Sequence, residues 1–86
     1  MIFIFLLKWK QAVKKEILDK FTETYADLRK QGIKLQLYWT LGHYNFVCVM
    51  EAPSEKDAIK LMPAFADVAE VEALTAIPRD EAVKLV

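Results

Sequence analysis

The chain opens on an unbroken apolar run, Met1 to Leu7, and then changes period. From residue 11 to 31 the apolar positions Val13, Ile17, Phe21, Tyr25 and Leu28 recur every three or four residues with charged residues between them. That spacing predicts an amphipathic helix, which Gly32 ends by supplying a residue that tolerates positive φ. The first run is short enough to be a buried strand over residues 2–7. Residues 34–40 alternate, with Leu35, Leu37 and Trp39 on one side and Gln36, Tyr38 and Thr40 on the other, which predicts a half-buried strand. Phe46 to Met50 is apolar at every position and predicts a second, fully buried strand. Leu41 to Asn45 lies between them, and its Gly42, with an Asn45 that tolerates a left-handed backbone, predicts a hairpin.

Ser54 followed three residues later by Asp57 predicts a capped helix start, and Ala58, Ile59, Leu61, Met62, Phe65 and Ala66 are expected to form its buried stripe. Pro63 lies inside that stripe and predicts a kink or break near Met62, because proline removes a backbone donor and crowds the preceding turn. A last strand is expected from Val68 to Ile77, with Ala69, Val71 and Ala73 on one side and Glu70 and Glu72 on the other. Pro78 stops it, and Glu81 to Val86 is left as one loose helical turn.

The order is β-α-β-β-α-β, which predicts an α+β fold of the ferredoxin-like kind: a four-stranded antiparallel sheet with two helices on one face. In that topology the first and third strands are central, and these are the strands that are apolar on both sides. Two helices cover one face only. Either Phe3 with Phe5, or Ile2, Ile4 and Leu6, together with alternate residues of Phe46 to Met50, must therefore face outwards, at about 1.5–3 kcal/mol for each large side chain left in water. A patch of that size marks an interface, so the expected assembly is a homodimer or larger homo-oligomer packed sheet face to sheet face, a dimeric α/β barrel.

Composition narrows the function classes. Eighty-six residues make a single domain spanning 1–86. Twelve basic and twelve acidic residues leave no net charge, which argues against nucleic acid and against an anionic membrane surface as partners. Residues 1–38 hold eight basic and four acidic groups and residues 39–86 the reverse, a polarity that would either steer subunits together or only solvate the surface. One cysteine and one histidine exclude a disulfide framework and a zinc site built within one chain. The apolar start is too short for an export signal and is followed directly by Lys8-Trp9-Lys10. With Cys48 in an apolar segment, the expectation is a cytoplasmic protein with an inert core thiol. No phosphate loop, dinucleotide fingerprint or nucleophile motif is present, and no cofactor is expected.

Polar residues interrupt the apolar pattern at Tyr38, Thr40, His43, Tyr44 and Glu51, which are the candidate contacts for a small-molecule ligand between sheet and helices. His43 alone titrates near neutral pH. It is either the proton carrier of an active site, with Tyr44 as orienting donor, or a solvated turn residue. Tyr38, Tyr44 and Glu51 are either ligand contacts, or the tyrosines pack with their hydroxyls at the rim while Glu51 caps or pairs locally. Trp9 and Trp39 read as core or interface anchors, since no basic groove accompanies them.

At Tyr38-Trp39-Thr40-Leu41-Gly42-His43-Tyr44-Asn45 and at Glu51-Ala52-Pro53 the sequence resembles the GYD domain, a family of small proteins. The signature reads Gly42, Tyr44 and Asn45 here, so the Asp position carries an uncharged amide. The stretches Ala64-Phe65-Ala66-Asp67 and Pro78-Arg79-Asp80-Glu81-Ala82 also resemble a neighbouring family of dimeric α/β-barrel domains. Both resemblances imply two ferredoxin-like subunits packed sheet to sheet. Two functions are compatible with this: a homo-oligomeric module that binds a small molecule or protein partner without catalysis, or a cofactor-free enzyme acting on a small apolar substrate.

Overall fold

Burial alternates along the first strand, β1 (Ile2–Trp9), where Phe3, Phe5 and Leu7 are buried and Ile2, Ile4 and Leu6 are not. The same alternation runs through β3 (Phe46–Glu51), with Phe46, Cys48 and Met50 inside. These are neighbouring central strands in a computed structural model that describes residues 1–86. The other elements are α1 (Lys15–Lys30), β2 (Lys34–Trp39), α2 (Glu55–Ala66), β4 (Ala69–Ala76) and α3 (Arg79–Ala82), followed by a 3-10 turn at Val83–Leu85. The sheet order is β2-β3-β1-β4, antiparallel throughout, which is the ferredoxin-like βαββαβ arrangement. No helix is long and apolar enough to cross a membrane.

Register decides which side chains share a face. Phe5 lies opposite Cys48 on one side and Ala73 on the other, and this row points towards the helices. Phe21, Tyr25 and Leu28 of α1 and Ala58, Leu61 and Phe65 of α2 pack down on it. Phe65 is at the centre, fully buried, with its ring 5.2 Å from Phe21 at 85° and 6.1 Å from Phe5 at 62°. Edge-to-face contacts of this kind bring ring edges onto ring faces and fix the angle at which the helices sit.

Helix α1 ends as its sequence dictates. Gly32 takes φ 86°, its N–H donates to the Arg29 carbonyl at 3.0 Å, and the Ile33 N–H donates to the Leu28 carbonyl at 3.1 Å. This pair of bonds satisfies the last carbonyls, and the buried Ile33 and Leu28 side chains close the turn. At the start of α2, the Ser54 N–H donates to Asp57 Oδ2 at 3.4 Å, a long but recognisable capping box.

Three expectations need correction. Helix α1 starts at Lys15 rather than residue 11, because the Lys10 N–H donates to the Val68 carbonyl at 3.0 Å and its Nζ to the Ala66 carbonyl at 3.0 Å, tying the chain to the end of α2 before it can coil. Helix α2 runs unbroken through Pro63. Pro63 and Ile59, one turn earlier, are both exposed, so the Ile59 carbonyl that loses its helical donor lies on the wet side and can bond water. Asn45 does not adopt positive φ; of the hairpin residues only Gly42 does, at 135°.

Two substitutions test this account. Leu61→Ala, at a site with no exposure, is expected to cost about 2–5 kcal/mol in urea unfolding. Gly32→Ala meets no atom within 4 Å, so its cost should be that of the backbone alone, about 1–2 kcal/mol.

Candidate functional site

The β2–β3 hairpin is fastened twice. Within it, the Thr40 N–H donates to the Asn45 carbonyl at 3.0 Å and the Thr40 hydroxyl to the Tyr44 carbonyl at 2.8 Å. Against β1, the Asn45 N–H donates to the Leu7 carbonyl at 2.8 Å, and Asn45 Oδ1 accepts the Trp9 N–H at 3.0 Å. The side chain thus continues the β3–β1 ladder past the last backbone pair. An amide oxygen and a carboxylate oxygen serve this acceptor role equally.

With Asn45 held, Tyr44 reaches across the sheet face away from the helices, and its hydroxyl donates to Glu72 Oε2 on β4 at 2.7 Å. Glu72 lies opposite Leu6 of β1, so the tyrosine spans a whole strand. This hydrogen bond, followed by desolvation and the charge of Glu72, pushes the Tyr44 hydroxyl above its ordinary ionisation range. The His43 ring meets Tyr44 edge-on at 4.9 Å and 85°. Lys8, Glu70 and Glu72 line the same shallow depression as His43 and Tyr44.

The other two candidates lie elsewhere. Tyr38 is half-exposed on β2, with its hydroxyl 3.3 Å from Gln36 Oε1. Glu51 sits at the far end of β3, opposite Ile2 and Lys34. Tyr38 pairs with Val47, four residues from Glu51 along β3, a separation of roughly 13 Å. The structure therefore gathers Thr40, His43 and Tyr44, and leaves Tyr38 and Glu51 apart. The expected position between sheet and helices is also corrected: the Tyr38, Tyr44 and Glu51 side chains belong to the open face, because their strand neighbours Leu37 and Met50 take the inner positions.

Glu72 was missing from the sequence-based set. The alternation of β4 puts it on the outer face, but only the β1–β4 register brings it to Tyr44. No three His, Cys, Asp or Glu side chains gather where they could hold one metal ion. Cys48 has no exposure, and burial pushes its thiol up to about 12, with Arg29 opposing weakly.

The sequence matches, over residues 1–86, the family described as a domain of unknown function (DUF3303), and the chain belongs to that family. A search of curated proteins finds no match.

Asn45→Asp is expected to keep the stability of the parent, while Asn45→Ala loses about 1–3 kcal/mol by leaving the Trp9 N–H without its acceptor; chemical denaturation of the pair checks this. Cys48 gives a pH dependence. Its folded-state pKa is raised, so its contribution is fully present below the unfolded value of 9.0 and is lost as pH rises from there towards about 12. Unfolding curves at pH 8.5 and 10 should show an alkaline loss of stability that is smaller in Cys48→Ala.

Proposed function

We propose that this protein is a small homo-oligomeric binding module, without catalysis of its own, whose open sheet face is closed by a second copy. The observation that carries this reading is the make-up of that face. Ile4 lies between Val49 and Leu74, and Leu6 lies beside Val47, so branched apolar side chains touch across three adjacent strands. Polar groups stand around them: Lys34, Gln36 and Tyr38 on β2, Glu51 and Lys8 at the ends of the central strands, and Glu70 and Glu72 on β4. An apolar centre with a polar rim is the anatomy of a protein interface, and a second copy of the same face would complete it about a two-fold axis. The resemblance to the GYD domain and to dimeric α/β-barrel domains supports the same sheet-to-sheet assembly. A single thiol kept protonated in the core suits a cytoplasmic setting.

The state of the reactive groups supports a binding role over catalysis. The Cys48 thiol and the Tyr25 and Tyr44 hydroxyls are all pushed towards their protonated, less nucleophilic forms. Thr40, His43 and Tyr44 lie on the rim of the apolar face, where they would contact a ligand or the partner subunit.

Light scattering at micromolar concentration is expected to give at least twice the chain mass of 9.9 kDa, and a stable particle of one-chain mass removes the proposal. Ile4→Glu should convert the assembly to folded monomers, because position 4 is partly open to water within one subunit and the charge becomes costly only when a partner covers it.

A further inference from the structure

On the opposite side of the sheet, a groove of about 440 Å³ opens between α1 and the edge strand β2. Its walls are largely aromatic. The Trp9 ring lies 6.1 Å from Phe21 and 5.9 Å from Trp39, and both tryptophans pack 6.1 Å from Phe46. Two buried polar atoms in these walls have no partner: the indole Nε1 of Trp9 and the hydroxyl of Tyr25. Tyr25 is only 6% exposed. An unpaired buried group of this kind costs about 1–3 kcal/mol, and an indole N–H can only donate.

Arg29 stands at the same groove, one helical turn beyond Tyr25. One of its N–H groups donates to the Leu35 carbonyl at 3.2 Å. It has no carboxylate within ion-pair distance, since the ion pairs of the chain are Lys60–Asp57 and Arg79–Asp80. Its charge is felt at both the Tyr25 hydroxyl and the Cys48 thiol, where it opposes the effect of burial. No acidic residue lines the groove, and the hydroxyl of Thr22 is occupied by the Leu18 carbonyl at 3.0 Å. The site therefore offers aromatic surface, unused donors and an unneutralised cation, with no acidic side chain to answer them.

We propose that this groove binds a small aromatic carboxylate, its ring against Trp9 and Trp39 and its carboxylate on Arg29 and the Tyr25 hydroxyl. An anion with a flat apolar body supplies what the site lacks: acceptors for the donors, a counter-charge for the guanidinium and a face for the indoles. Trp39 is the movable wall. It is 63% exposed on an edge strand, so it can shift to admit a ligand ring while losing few contacts. The groove and the open apolar face lie on opposite sides of the sheet, so this inference does not rest on self-association.

The chain has two tryptophans, both in the groove, so their indole N–H resonances report directly on it. Titration with 1-naphthoate, followed by ¹⁵N-resolved NMR, is expected to shift the Trp9 indole signal saturably. Arg29→Gln should weaken naphthoate binding by about tenfold or more, the scale of one charge-assisted hydrogen bond, while affinity for uncharged 1-naphthalenemethanol stays within about twofold. Tyr25→Phe should also weaken naphthoate while its melting temperature holds or rises, because the change removes an unpartnered hydroxyl. Absence of a saturable shift at millimolar naphthoate would overturn the proposal. So would equal losses for the acid and the alcohol in Arg29→Gln.

Discussion

Large apolar side chains project from both faces of the two central strands, and the chain has helices enough for one face. Every other feature is arranged around that imbalance. Phe3, Phe5, Leu7, Phe46, Cys48 and Met50 take the helices as their cover and build the core around Phe65. Ile4, Leu6, Val47 and Val49 keep the other face apolar, and the polar residues are displaced to its edges. A sheet meant to meet water on that side would alternate polar and apolar along its central strands. This one alternates only on its edge strands.

The hairpin shows how a polar residue serves such a sheet. Asn45 lies where β3 runs out of backbone partners, and it replaces the missing rung with its own side chain. That fixes the point from which Tyr44 crosses β1 to Glu72. Gly42, Tyr44 and Asn45 thus act as a unit: the glycine provides the turn, the amide anchors it, and the tyrosine clamps the rim of the open face. Their chemistry is structural before it is anything else, since the Tyr44 hydroxyl and the Asn45 amide oxygen already have partners inside the chain.

The groove beneath α1 has the opposite character. Two of its buried polar atoms are unpaired, although buried donors almost always find partners in folded proteins. Leaving Trp9 Nε1 and Tyr25 Oη unsatisfied beside an Arg29 without a carboxylate partner is a local conflict in a chain whose local choices otherwise agree with the fold, from the glycine stop of α1 to the capping box of α2. Conflicts of this sort collect where a molecule binds. On the two proposals made above, the faces of the sheet divide the work, one taking another copy of the chain and the other a small ligand.

The element order, the two helices, the four strands, the central position of β1 and β3 and the excess of apolar surface were all legible in the sequence, because each follows from periodicity, from Gly and Pro chemistry, and from a count of strands against helices. Which of the two apolar sets on β1 faced the helices was not legible, since both are apolar and only the packing of Phe65, Phe21 and Leu61 decides between them. The path of α2 through Pro63 depended on which side of that helix met water, and the start of α1 on a bond from Lys10 to the turn after α2, nearly sixty residues away. Tyr38 and Glu51 are close to the hairpin in sequence but separated by the length of β3. Glu72, remote in sequence, meets Tyr44 because β4 pairs with β1 in one register. Local pattern fixes what each segment becomes; cross-strand register and helix packing, which arise from contacts between distant segments, decide which side chains share a site.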